Sequence, residues 1–351
     1  MSTTMIGSSF PETWAYGEYE VAIHRSLKNQ IEQRWPNCEN LLLDTTWWGP
    51  HNDQQVADMV AAKQKFRNLF ITSTVDDVLN FKVYPLIDQL QSQFEIENVY
   101  RLGNFDSEHQ FNFFAIVCLD KFKAYNTDDL ILRELRWKYC AYNRKPYPHR
   151  LNFVRDLIDN DLEQHGVITL GKAFPGETDH GLYRSIGESN ADYVQWGHWY
   201  EVDSFATTHD IPHDLFSLHN WTVWQHHFLH IVGATTAHNE IDTFVNQINF
   251  KPLIGMRPFV INGQTKQYQY LRQHGFRTFN HYWPQFDLEK QDELRKQQKI
   301  LLDCVKWLTT QSTEQIMTMY QDMLPDLVYN RQRWYEWAAE QKHYVNNIFN
   351  E

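Results

Sequence analysis

No apolar run in this chain reaches the roughly 18 residues that a membrane helix needs. The opening stretch MSTTMIGSSFPETW has neither the basic start nor the apolar core of a secretory signal, so a cytoplasmic protein away from membranes is expected. Cysteine is scarce. Cys38, Cys118, Cys140 and Cys304 are widely spaced and form no C-x-x-C pair, which removes the usual zinc-ribbon and dithiol redox signatures and leaves buried reduced thiols. Missing as well are G-x-x-x-x-G-K-S/T, G-x-G-x-x-G, G-x-S-x-G and H-E-x-x-H, so the common ATPase, dehydrogenase, serine-hydrolase and zincin readings lack a motif. Positive charge is in deficit: Lys and Arg number 32 against 44 Asp and Glu, and the net −12 argues against broad adhesion to nucleic acid.

Rings, by contrast, are abundant. With 13 Trp, 18 Tyr and 22 Phe, aromatics make up 15% of the 351 residues, which suits grooves lined by rings as well as filled cores; sugar-binding clefts often have this character. The length exceeds the usual single core, so two domains with an appendage are expected. The first third alternates patterns: helix from Glu20 to Trp35, strand from Asn40 to Thr46, helix from Gln54 to Phe66, strand NLFITS, helix from Val78 to Phe94, then NVYRLG and FNFFAIVCL, both strand-like. A second α/β region begins at Lys138 and repeats a helix, glycine, strand order at Gly255 and Gly275. From Leu288 onward helical patterns dominate, interrupted at Pro325, and the glycine-bearing stretch from Lys172 to Asn220 reads as a long irregular loop.

The stretch KYCAYNRKPYPHRLNFVRDLIDNDLEQHGVITLG reads as one βαβ unit. Tyr139 to Asn143 is a strand, Pro146 and Pro148 keep the next loop irregular, and a helix begins near His149 with Leu151, Val154, Leu157, Ile158 and Leu162 at helical spacing. Gly166 is expected as its left-handed cap before the strand VITL. Such a unit brings the loop and helix N-terminus to the carboxyl edge of a sheet, where backbone N–H groups and the helix dipole favour an anion. Arg144, Lys145, His149 and Arg150 crowd that mouth, which reads as a phosphate clamp or, equally, a solvated basic loop.

Five histidines, His219, His226, His227, His230 and His238, invite a metal reading through His226 and His230. HHFLHIVG suits a strand, however, in which positions four apart lie about 13 Å from each other and cannot share an ion. No metal is expected, and some of these histidines are candidates for cleft hydrogen bonds. In QINFKPLIGMRPFVING, Lys251 and Arg257 flank a short helix that leads to a buried strand and the turn Asn262, Gly263, Gln264, which could approach a nucleotide or be an ordinary connection.

Taken in order, YNRKPYPHRLNFVRDLIDNDLEQHGVITLG, FKPLIGMRPFVINGQTKQYQYLRQHGFRTFNHYW and LVYNRQRW resemble the fucosyltransferase-like and exostosin-like glycosyltransferases of the two-Rossmann (GT-B) class, phage-encoded members included. The likeness runs over about residues 136 to 335. It implies an α/β fold of two Rossmann-like domains with a C-terminal helical segment packing over them. Residues 1–135 would form an N-terminal acceptor domain, 136–287 a nucleotide-sugar donor domain and 288–351 the C-terminal helices. It also implies transfer of a sugar from a nucleotide sugar to a hydroxyl acceptor without metal or further cofactor. On that resemblance Arg150 takes the diphosphate, with Asn143 in the same signature and Arg144 and Lys251 as supporting groups, since fixed cations stabilise charge that develops as the glycosidic bond breaks. Where relatives often carry an acid and then threonine, glutamate, lysine, this chain has Ala234 and then Asn246, Gln247, Ile248. Gln247 can still bond ribose hydroxyls, and Lys251 or Arg257 can supply the charge.

An inverting transfer needs a carboxylate or histidine at a strand end to take the acceptor proton. Asp44, Asp76, Asp77, Asp106 and Glu108 fit that position, although each also reads as a helix cap or solvated acid. The acceptor would be a saccharide, a small molecule, a protein or, in a phage protein, a hydroxymethylated DNA base flipped from its stack, which the net charge ranks below saccharides. Two alternatives stand beside this: a non-catalytic sugar-binding or structural module, and a sugar-nucleotide hydrolase.

Overall fold

The computed structural model describes residues 3–6, 17–45, 50–73, 80–103, 107–143, 147–170, 216–218, 221–235, 237, 243 and 245–349. Contacts divide the chain into two compact units, one of Met1–Asp120, Glu240–Phe244 and Trp337–Glu351, the other of Lys121–Asn239 and Val245–Glu336. The boundary falls before the expected residue 136. The reason is that Arg257 donates to the Leu130 carbonyl and Arg331 to that of Tyr125, tying this stretch into the second unit. The residues of the C-terminal helices divide between the two units at Glu336 and Trp337.

The first unit holds a parallel sheet of β1 (Thr3–Ile6), β2 (Asn40–Asp44), β3 (Asn68–Ser73), β4 (Asn98–Gly103) and β5 (His109–Gln110), in that order. Helices α1 (Gly17–Arg34), α2 (Pro50–Ala61) and α3 (Asn80–Phe94) link successive strands. Strands β2 and β3 are buried throughout, as both-face burial in a parallel sheet requires. Leu41, Leu43, Leu69 and Ile71 pack on Val56 and Met59 of α2 and on Ile87 and Leu90 of α3. On the alternate face Phe70 stacks on Tyr100 at 4.7 Å, with Trp35 and Phe349 against them.

Asparagines lock the register at the amino ends. Asn40, Asn68 and Asn98 stand opposite one another; Asn68 Nδ2 donates to Asn40 Oδ1 and Asn98 Nδ2 to Asn68 Oδ1, each at 2.9 Å. A slip of one residue would break both bonds. Asn68→Ala, which strands a buried acceptor on one side and a donor on the other, is expected to cost about 2 kcal/mol. The check is a lower urea midpoint at unchanged slope.

FNFFAIVCL is not a strand. It forms α4 (Phe113–Lys121), started by Asn112, whose Oδ1 accepts from the Ala115 N–H at 2.9 Å. Phe113 to Cys118 are all buried, and an apolar run without period fits a helix buried all round as well as a strand.

The second unit contains α5 (Thr127–Leu130), β6 (Trp137–Asn143), α6 (Pro148–Ile158), β7 (Gly166–Leu170), α7 (Trp221–His226), β8 (His227–Gly233), α8 (Gln247–Ile254), β9 (Phe259–Asn262), α9 (Lys266–Gln273), α10 (Leu294–Thr310) and the start of α11 (Thr313–Val345). Its sheet is parallel, in the order β7-β6-β8-β9. The βαβ unit forms as expected, but Gly166 does not cap α6. Its φ of −144° is extended and it opens β7; the helix ends at Ile158, and the positive φ lies at Asp161. Glycine is needed at 166 because a Cβ there would meet the Tyr139 ring at 2.5 Å. Helix α11 runs through Pro325 without the expected break, anchored by buried Met323 and Leu327 on either side.

The fold class is therefore as expected: α/β, with two units each built on a parallel sheet. Among the described residues no helix is long and apolar enough to cross a membrane.

Candidate functional site

The two faces of the second sheet separate by residue alternation. Cys140, Tyr142 and Val167 pack with Val223 of α7, whereas Ile168 packs with Leu151 and Val154 of α6. The chain leaves β6 outward to β7, then returns to the other side of β6 as β8. Strands β6 and β8 thus flank a topological switch point, where connections diverge and a crevice opens at the carboxyl ends, the usual ligand position in parallel α/β sheets.

That crevice is lined by Asn143, the last residue of β6, and Gly233, the last of β8. A Cβ on Gly233 would lie 2.3 Å from Asn143 Oδ1 and 3.4 Å from Arg150 Nε, so only glycine lets these side chains meet over the strand end. Arg150, in the first turn of α6, donates from Nε to the Ala234 carbonyl at 3.2 Å and lies 4.7 Å over the Tyr147 ring. His149 Nε2 is 2.8 Å from the same carbonyl and so donates to it, and its ring stacks on Tyr147 at 5.9 Å. From α10, Gln298 Nε2 donates to the His149 carbonyl at 2.7 Å and to Asn262 Oδ1 at 2.9 Å, pinning the start of α6 to the end of β9. Arg150 is 2% exposed. A guanidinium at that depth favours dipoles and anions around it.

Asn246 begins α8 with a capping box: its Oδ1 accepts from the Ile248 N–H at 3.1 Å, and its own N–H donates to Asn249 Oδ1 at 3.2 Å. The cap satisfies the first turn internally, so α8 offers this edge a side chain instead. Gln247 is that side chain, buried, with no hydrogen-bond partner for its Oε1 among the described residues.

The expected cations do not gather in one place. Arg144 lies outside the described residues. Lys251 is buried one turn into α8, about 6 Å along the helix from Gln247. Helix α8 lies on the α7 side of the sheet, where the Trp224 indole N–H donates to the Gly255 carbonyl at 2.9 Å, so Lys251 and Arg150 approach from opposite faces. Arg257 precedes β9, at the amino edge, and has a structural role. It donates to the carbonyls of Leu130 at 2.6 Å, Met256 at 2.9 Å and Trp224 at 2.6 Å, and to the Tyr320 hydroxyl at 3.4 Å. Burial pulls its pKa down to about 10, which leaves it charged at neutral pH.

Of the proposed bases, Asp76, Asp77 and Asp106 lie outside the described residues. Glu108 is exposed, 3.3 Å from His109 Nε2. Asp44 ends β2 at 1% exposure, with Oδ2 3.6 Å from Nδ1 of His24 in α1. His24 is itself buried, and its Nε2 has no hydrogen-bond partner among the described residues. Sequence reasoning missed His24, although its place beside Ile23, Leu27 and Ile31 on the buried stripe of α1 was a readable signal. Their separation is an ion-pair distance, longer than a hydrogen bond. No family model, curated protein or solved structure matches this chain.

Proposed function

We propose that the chain is a glycosyltransferase that moves a sugar from a nucleotide-sugar donor to a hydroxyl acceptor, with the donor diphosphate in the crevice at the ends of β6 and β8. The observation that carries this reading is the convergence of Asn143, His149 and the buried Arg150 on one switch point. Arg150 offsets the charge of the departing diphosphate, and the carboxamide of Gln247 serves the ribose. A saccharide is the favoured acceptor, since the net charge of −12 opposes DNA.

The test is thermal denaturation of the full chain with UDP, GDP, CMP, dTDP and their sugar conjugates. One nucleotide is expected to raise the melting temperature, by the equivalent of about 2.7 kcal/mol at a hundredfold excess over Kd. Arg150→Ala is expected to abolish the shift. No shift with any of them would overturn the reading. Ala234, which offers only a carbonyl where the glycosyltransferases that the sequence resembles often carry an acid, favours one alternative: a nucleotide shift without sugar transfer would mark a non-catalytic module.

A further inference from the structure

On the α7 face of the same sheet, Cys140, His227 and His230 form a wholly buried cluster whose ligand atoms all lie within 4.8 Å of one another. Cys140 and His230 are register partners on β6 and β8 and point to one face. Residues three apart in a strand normally face opposite ways. His227 escapes this because it stands at the junction where α7 turns into β8.

Two details of the geometry point to an ion. His227 Nδ1 is 2.9 Å from the Val223 carbonyl, which can only accept; the proton is on Nδ1 and the Nε2 lone pair faces the cluster. A ligating imidazole is usually held in this way, by donating its other N–H to a carbonyl. His227 Nε2 and His230 Nδ1 are 3.4 Å apart. That exceeds the roughly 2.7–3.2 Å of a good hydrogen bond. It matches the separation of about 3.3 Å between two nitrogens each bound about 2.05 Å from a tetrahedral zinc. The Trp224 ring, 5.0 Å from both imidazoles, presents π density to the positive charge that remains.

We propose that Cys140, His227 and His230 supply three of the four ligands of one zinc ion inside the second unit, a site separate from the proposed transfer reaction. Binding replaces the Cys140 proton, which goes to solvent, while both imidazoles ligate as neutral bases. Sequence spacing joins His226 to His230; the structure joins His227 to His230 and adds a cysteine from a neighbouring strand.

Because the cluster is closed, the ion must enter as the chain folds. The test is metal content of the untagged full chain, expressed in zinc-supplemented medium and dialysed. About one zinc per chain is expected, as for a structural site coupled to folding. Cys140→Ser should lower that by at least about tenfold, whereas His226→Ala, which alters a half-buried neighbour outside the cluster, should keep it. Expression with cobalt reads the thiolate directly in the wild-type chain, through a sulfur-to-cobalt charge-transfer band, so the result does not hang on a variant that folds. Wild-type protein with neither zinc nor that band would overturn the proposal, as would full zinc in the Cys140→Ser chain.

Discussion

Arg257→Met is expected to destabilise the second unit by about 3–5 kcal/mol. Methionine fills the volume of the arginine stem, so the loss isolates the guanidinium. That group is fully buried and joins three carbonyls from separate places: Leu130 in α5, Met256 beside it and Trp224 in α7. Without it the carbonyls face apolar surroundings, at about 1–3 kcal/mol for each left unsatisfied. Lysine should not rescue, because a compact ammonium cannot reproduce the planar fork that spans the three. Chemical denaturation of the full chain gives the number. A loss under about 1 kcal/mol would mean that water takes over the carbonyls.

Gly255→Ala, two residues away, is expected to cost about 1–3 kcal/mol through overpacking. Its Cβ would lie 2.2, 2.4 and 2.5 Å from three atoms of the Trp224 indole. The indole has little room to retreat: it is 0% exposed, donates to the Gly255 carbonyl and has the His227 and His230 rings 5.0 Å away. Glycine is required here for space and not for backbone freedom, since its φ is −91°. Trp224→Phe frees the colliding ring, so the double substitution should cost less than the sum of the two singles. Thermal denaturation of all four chains in the cycle would show it.

The elements that were legible in the sequence carry their signal locally. NLFITS and HHFLHIVG are strands because short apolar runs bounded by turns suit buried parallel strands, and α6 showed its period plainly. FNFFAIVCL misled because a helix buried all round loses its period. Gly166 misled because packing against the Tyr139 ring, a contact from β6, demands glycine in the same way that a helix cap does. The candidate site was half legible. Arg150 and Asn143 lie within one short stretch of sequence and meet at the strand end, but Gly233 and Ala234 join them only through the strand order, which no local pattern encodes. For the same reason Arg257 looked like a ligand-binding cation: charge is visible in a sequence, but the carbonyls that surround it are not. His24 and Asp44, and likewise Cys140 and His230, become neighbours only when separate elements pack.

The allocation of Trp337–Glu351 to the first unit has a consequence for how the chain is born. The Phe70–Tyr100 ring pair is covered by Phe349, and Gln30 of α1 donates to the Val345 carbonyl and accepts from the Phe349 N–H. On the ribosome, the stretch from Lys121 to Glu336 takes about 10–40 s to emerge at roughly 5–20 residues per second. During that interval the first-made unit carries an open aromatic face, and the second, made largely from one continuous stretch, is able to close first. Order of synthesis and order of completion are thus reversed. Nascent chains stalled before Trp337 would present that face to chaperones and to one another.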